Sequence, residues 1–342
     1  MSSDRVPDSP AAALREISYW LDRSRSDSRR SMAFRSAARI LDDMPPEEYA
    51  SRGEDTRWAD VPGIGPSSAG VIQATLAGRV PDYLKKVRAA ARPLTTSGRE
   101  LRSQLRGDLH CHTDESDGSA PLEEMVATAA MLGHEYLLIT DHSPRLTVAH
   151  GLSAERLADQ GMRIDAVNEA SPVHVLKGIE VDILDIGALD QSPAALSGLD
   201  LVVASVHSKL SQDAESMTHR MIAAIANPRT NVLGHCTGRL VEGERGLRNE
   251  SRFDAEVVFE ACRQFGVAVE INSRPERRDP PSRLLQLARN IGCLFSIDTD
   301  AHAPGQLEFL DYGCVRAQTM GIPAERIVNT WPLEKLMAWT ET

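Results

Sequence analysis

Gly107-Asp108-Leu109-His110-Cys111-His112-Thr113-Asp114-Glu115-Ser116-Asp117-Gly118 is the stretch on which the reading of this chain turns. Side chains alternate between the faces of a β-strand, so His110 and His112 share one face and can reach a single metal ion at the strand's C-terminal end. Asp117 returns a carboxylate to the same place after a turn ending in Gly118. Cys111, between the histidines, points the other way and is expected in the core. One His-x-His pair says little, but the design recurs. Residues 136–142 (Tyr-Leu-Leu-Ile-Thr-Asp-His), 175–180 (Val-Leu-Lys-Gly-Ile-Glu), 201–207 (Leu-Val-Val-Ala-Ser-Val-His) and 231–235 (Asn-Val-Leu-Gly-His) are apolar runs closed by a ligand-type residue. The run 294–302 ends in another i, i+2 pair, Asp300 and His302.

Six of the ten histidines (His110, His112, His142, His207, His235 and His302) therefore stand at strand ends, together with Asp117, Glu180 and Asp300. So many polar groups converge only if something holds them together. A multinuclear metal site does so, and mixed imidazole and carboxylate ligands suit Zn, Mn or Fe better than Mg or Ca. Helical stretches at 122–131, 255–265 and 282–291 alternate with the strands, which predicts a parallel sheet with crossovers. Parallel barrels carry their chemistry at the strand C-termini, where all nine groups lie.

The order His-x-His…Asp, Thr-Asp-His, Gly-x-Glu, Ser-Val-His, Gly-His, Asp-x-His resembles the polymerase and histidinol phosphatase (PHP) family of phosphoesterases over roughly 107–342. The likeness is greatest to the PHP domain of bacterial family X DNA polymerases. It rests on Gly234-His235-Cys236-Thr237-Gly238-Arg239, on Glu270-Ile271-Asn272 with Arg274 and Arg277, and on Thr299-Asp300-Ala301-His302. Cys236 replaces the usual proline but displaces no ligand. The resemblance implies a distorted (β/α)7 barrel and three divalent transition-metal ions. His110, His112, Glu180 and Asp300 would hold the first, and Asp117, His142 and His302 the second. Glu180, as a bridge, would join His207 and His235 on the third. The catalytic set is then His110, His112, Asp117, Glu180, His207 and Asp300, with metal-activated hydroxide attacking phosphorus. Lys209, Arg239, Arg274 and Arg277 are candidate phosphate binders. Arg239, which follows a ligand strand, also enters the catalytic set.

The 342 residues exceed one average domain, and a 42% hydrophobic content supports a real core. No apolar run approaches 18 residues, so no membrane span is expected. The N-terminus lacks the apolar core of a signal peptide. Five cysteines (111, 236, 262, 293, 314) without a Cys-x-x-Cys pair read as reduced thiols of a cytoplasmic protein. The net charge of −11 is unevenly spread. Residues 1–106 carry 18 Lys and Arg against 14 Asp and Glu, a balance of +4 that leaves −15 for the rest. A basic module beside an acidic catalytic one suggests that one grips phosphates and the other cuts.

The expected organisation is a helical DNA-binding domain at 1–92, a linker at 93–106 and the metallo-phosphoesterase at 107–342. Within the first, Trp58 to Ile72 has the helix-hairpin-helix pattern around Gly63-Ile64-Gly65. The glycines permit a tight turn whose backbone N–H groups, with those of Ser67 and Ser68 at the next helix start, can bind a DNA phosphate without reading bases. Residues 29–92 resemble the N-terminal domain of family X polymerases. Ser67 and Val71 stand where the animal members carry lyase lysines, so no imine-forming lyase is expected. Only residues 91–106 separate the two modules, too few for a polymerase palm. DNA ends or gaps are thus the expected partner, processed by a 3′–5′ exonuclease or 3′-phosphatase in repair. The competing readings are a phosphatase of histidinol phosphate or a nucleotide, and a non-catalytic DNA-end-binding protein with structural metals.

Overall fold

Short apolar runs ending in polar residues become seven strands of one parallel sheet, in sequential order. They are β1 (Gly107–Cys111), β2 (Tyr136–Ile139), β3 (His174–Asp182), β4 (Leu201–Ser205), β5 (Val232–Leu233), β6 (Ala268–Asn272) and β7 (Phe295–Asp298). The computed structural model describes residues 5–53, 56–243 and 246–341. Every connection is a crossover, as parallel neighbours require. The helices of this part are α6 (Arg99–Arg102), α7 (Leu122–Met131), α8 (Ala154–Asn168), α9 (Pro193–Ser197), α10 (Ala214–Ile225), α11 (Ala255–Gln264), α12 (Ser282–Ile291), α13 (Leu310–Thr319) and α14 (Leu333–Thr340), preceded in the chain by α1 to α5. The helical stretches expected at 122–131 and 282–291 form with those bounds, and the one at 255–265 ends one residue early.

The sheet curls into a nearly closed (β/α)7 barrel. His112 N–H donates to the Ala301 carbonyl at 2.8 Å, and Leu109 N–H to the Asp298 carboxylate at 3.1 Å. Asn329, from the C-terminal segment, plugs the seam between β1 and β7. Its side-chain oxygen accepts from Ile297 N–H at 2.7 Å, and its amide nitrogen donates to the carbonyls of Ile297 (3.0 Å) and Gly107 (3.3 Å).

Apolar packing ends where the ligands begin. Tyr136, Leu138, Leu176, Leu201, Val203, Val232 and Ala268, from the N-terminal halves of the strands, form one buried cluster with Val328, Trp331 and Leu336. A residue pair or two further along β3 and β6, the same faces carry Glu180 and Glu270. Gly178, just before Glu180, has no room for a side chain: a Cβ there would lie 2.7 Å from Leu138 Cδ1 and 2.8 Å from the Ile139 carbonyl oxygen.

The chain divides into two compact units, one formed by the sequence up to Pro93 with 303–306 and the other by the remainder. The first contains α1 (Pro10–Arg23), α2 (Ser28–Asp42), α3 (Pro46–Arg52), α4 (Pro66–Leu76) and α5 (Asp82–Ala90). Ala13, Leu14, Ile17, Phe34, Trp58, Ile72 and Leu84 are buried in its core. Ser9 starts α1 by accepting from Ala12 N–H at 3.1 Å, with Pro10 at the first helical position. The expected linker, 93–106, is more than a tether. It includes α6, and Leu101 and Leu105 are buried among the residues that pack the barrel's helices. Among the described residues no helix is long and apolar enough to cross a membrane.

Candidate metal centre

Glu180, near the end of β3, is the hub. Its Oε2 lies 3.3 Å from His110 Nε2, 3.6 Å from His112 Nε2 and 3.0 Å from His142 Nδ1. Its Oε1 lies 3.2 Å from His207 Nε2 and 2.8 Å from His235 Nε2. Asp117 faces the other side of the cluster, 3.3 Å from His302 Nε2, 3.5 Å from His142 Nε2 and 3.9 Å from His112 Nδ1. Asp300 Oδ1 is 3.5 Å from His112 Nε2 and from His302 Nδ1. All nine expected ligands thus converge. Atoms of seven of them fall into three groups able to hold an ion: His112, Asp117, His142 and His302; His110, His112 and Glu180; and His142, Glu180 and His207. These groups differ from the resemblance-based division: His112 and His142 each enter two of them, and His235 and Asp300 enter none.

The donor set fits divalent metal. Both carboxylate oxygens of Glu180, both ring nitrogens of His112, His207 and His235, and one of His110 and of His142 are buried without hydrogen-bond partners. Orphaned buried groups at this density are rare unless an ion satisfies them. The ligand groups also shift one another's protonation. Burial alone would raise the Glu180 carboxyl, yet His110, His207 and His142 hold it well below the carboxylate range. Burial opposes a charge on His110 and His142, but Glu180 with Glu270, and Glu180 with Asp117, outweigh it, and His142 rises to about 10. Burial, reinforced by His302 and His142, pushes His112 down to about 3. Imidazoles in contact thus compete for protons, a competition that shared cations replace.

Several residues to which sequence reasoning assigned no role in the site orient the ligands. His110 Nδ1–H donates to Glu270 at 2.6 Å, which leaves Nε2 facing Glu180. The other oxygen of Glu270 accepts from His235 N–H at 2.5 Å. Asp182 accepts from His207 N–H at 3.1 Å and lies 3.5 Å from its Nδ1. Asp141 accepts from Thr113 N–H (2.8 Å), Thr113 Oγ1 (2.6 Å) and Gln160 Nε2 (2.6 Å), fixing the turn that carries Asp117. The available signal for Glu270 was a carboxylate in the middle of the apolar run Val267 to Ile271. Cys111 is buried in an apolar cluster on the far side of β1, as expected, its thiol 3.2 Å from the Leu138 carbonyl. Asp300 sits at φ 52°, in the left-handed region that Asp tolerates better than most residues.

The expected phosphate binders divide. Arg277 is buried, donates to Asp300 at 2.8 Å, and keeps its Nη1 without a partner. Arg274 Nη1 reaches His302 Nδ1 at 2.9 Å and the Asp300 carbonyl at 3.2 Å. Lys209 stands exposed at the rim, paired with Asp185. Arg239 departs from expectation. It donates to the carbonyls of Arg277 (3.1 Å) and Arg278 and to Glu250 (3.4 Å), and none of these bonds reaches the ligand cluster. Gly238, at φ 61°, redirects the chain just after the ligand strand, so Arg239 braces two loops.

In the helical unit, Gly63 takes φ 86°, where a Cβ would also meet Ile40 Cδ1 at 2.6 Å. Gly65 caps α4 at φ −77° with open space around it, so the left-handed requirement holds at Gly63 alone. Ile64 and Ser68 are buried and Ser67 is exposed. The segment before the turn is a short 3-10 helix, Thr56–Asp60, rather than an α-helix.

Residues 108–274 match the PHP domain family. The chain is 35% identical over 237 residues to the DNA polymerase/3′-5′ exonuclease PolX of Bacillus subtilis, an alignment covering 69% of this chain and 41% of that protein. It therefore spans under half the length of that relative. A probable phosphatase of Caldicellulosiruptor saccharolyticus is 29% identical over 235 residues, covering 66% of this chain and 92% of that one. Among solved structures, a histidinol phosphate phosphatase of Lactococcus lactis complexed with zinc, L-histidinol and phosphate aligns with 18% identity and a TM-score of 0.45, covering 63% of this chain and 92% of that one.

Proposed function

The chain carries a PHP domain, and from that premise we propose that it is a metal-dependent phosphoesterase acting on DNA ends, as a 3′–5′ exonuclease or 3′-phosphatase. The observation that carries the hydrolytic part is Glu180, one buried carboxylate whose two oxygens lie within 3.6 Å of ring nitrogens of five imidazoles. The DNA part is supported by the 35% identity to an exonuclease-bearing polymerase and by the +4 balance of residues 1–106.

His110, His112, Asp117, His142, Glu180, His207, His235, Asp300 and His302 would hold three ions of Zn, Mn or Fe. Such ions lower the pKa of coordinated water and neutralise phosphoryl oxygens. The residues around them do the positioning. Glu270 fixes the His110 ring with Nε2 toward Glu180, and Asp182 stands behind His207. Arg277 presents a buried, unpartnered Nη1 beside Asp300, suited to an oxygen of the scissile phosphate. Arg274, held by the Asp300 carbonyl, is a second cation at the mouth.

A second reading, a phosphatase of a small ester, draws support from a probable phosphatase 92% of whose length is matched by 66% of this chain. End-labelled DNA with 3′-OH and 3′-phosphate termini, assayed beside histidinol phosphate, separates the two. Nucleotide or phosphate release from DNA is expected, and turnover of histidinol phosphate alone would establish the small-ester reading instead.

A further inference from the structure

Beside His207 lies a pocket of about 510 Å³, formed by the loops that follow β2, β3 and β4. Its lining includes the aliphatic residues Leu146, Leu184 and Ile186 and the cations Arg145 and Lys209. Ile186 is 84% exposed, and Val148, two residues beyond Leu146, is 87% exposed. Single exposed aliphatic residues need no explanation. Ile186 differs in lining a pocket that shares His207 with the metal cluster. The acids in the wall are already engaged: Asp182 accepts from His207 N–H, and Asp185 pairs with Lys209.

We propose that this pocket receives the nucleoside attached to the scissile phosphate, and so makes the enzyme select nucleotide esters over simple phosphate esters. The inference rests on the phosphoesterase reading and adds its substrate class. The volume suits a ligand of nucleoside size within the usual range of small-molecule sites, about 300–1,000 Å³. A base needs an apolar face to lie against once it leaves the stack, and Leu146 and Ile186 offer one. Lys209 and Arg145 lie where a neighbouring phosphate of a longer strand would pass. A substrate phosphate held at the Glu180–His207 side of the cluster has this pocket as its adjoining space.

The full chain tests this with two chromogenic diesters that share a leaving group: thymidine 5′-(4-nitrophenyl phosphate) and methyl 4-nitrophenyl phosphate. Wild type should prefer the thymidine ester in kcat/KM by about ten-fold, the scale of one modest apolar contact. Ile186→Asp should collapse that ratio toward one, mainly through KM, while Ile186→Leu retains it. An unchanged ratio in Ile186→Asp, or no preference in wild type, overturns the pocket. DNA-end hydrolysis by the same wild-type sample is scored separately. Its absence beside an intact thymidine preference would overturn the DNA reading and leave the pocket standing.

Discussion

At the scale of single residues, Glu180 distributes two oxygens among five imidazoles, Oε2 toward His110, His112 and His142, and Oε1 toward His207 and His235. Among the described residues, the carboxylates that His142 touches are Glu180 and Asp117. Glu180→Ala should therefore lower bound metal by more than one ion per chain, and His142→Ala by one at most. Elemental analysis of both variants checks this, and equal losses would argue against a bridging carboxylate. Activity of Glu180→Ala should fall by at least ~10²-fold, the scale of losing one preorganised electrostatic contributor. Glu270 acts one layer further out, through His110 Nδ1 and His235 N–H. Glu270→Gln cannot accept both bonds with equal strength, and metal affinity should weaken by about 10–100-fold, as for other residues behind a ligand. Competition with a graded chelator reads it. An unchanged affinity would make Glu270 a core carboxylate only.

At the scale of elements, the sequence reading succeeded where period and punctuation were local. The strands β1, β3, β4 and β7 were legible because each apolar run closes on a ligand-type residue, although β3 continues two residues past Glu180 and β4 and β7 stop two residues short of His207 and Asp300. The helices 122–131 and 282–291 were legible because their apolar faces repeat at helical spacing. What escaped depends on contacts distant along the chain. Asn329 closes the barrel seam across 222 residues to Gly107, and Leu101 and Leu105 pack with the barrel although their stretch reads as a linker. The bonds of Arg239 to the carbonyls of Arg277 and Arg278 were not legible either, because its position after a ligand strand is visible in the sequence while the left-handed turn at Gly238 is not.

The turn after α7 supplies a prediction of its own. His134 is buried, its Nε2 3.4 Å from the Arg102 guanidinium of α6, which is itself paired with Asp311 of α13 at 3.5 Å. Burial first, and Arg102 second, push its pKa down to about 3. The folded value is below the unfolded one near 6.5, so the unfolded chain takes up the proton first as pH falls. Stability is full above pH 6.5 and declines toward pH 3. His134→Gln keeps an acceptor for Arg102 without titrating. Between pH 7 and 5 it should lose about 1–2 kcal/mol less than wild type in denaturant titrations. Parallel curves for the two proteins would show that His134 does not contribute to acid sensitivity.

On the scale of the whole molecule, the two units differ in charge and in the chemistry they carry, and we propose that they divide grip from hydrolysis. Gly63 is the residue through which the helical unit can be altered alone. Its φ of 86° disfavours any β-branched side chain, and a Cβ there would press on Ile40. Gly65 has neither constraint, so Gly65→Ser serves as the control. Gly63→Val should distort the turn before α4 and displace its backbone N–H groups, leaving the metal ligands, all between His110 and His302, in place. Hydrolysis of a small phosphodiester should then match wild type. DNA-end processing at limiting DNA should weaken several-fold, and its dependence on salt should become shallower, as expected when one or two phosphate contacts are lost. Circular dichroism confirms that the variant is folded before the comparison. If folded Gly63→Val processes DNA ends with the wild-type rate and salt slope, the turn is a spacer between helices. The grip on DNA would then have to lie with cations of the barrel itself, such as Arg274 and Lys209.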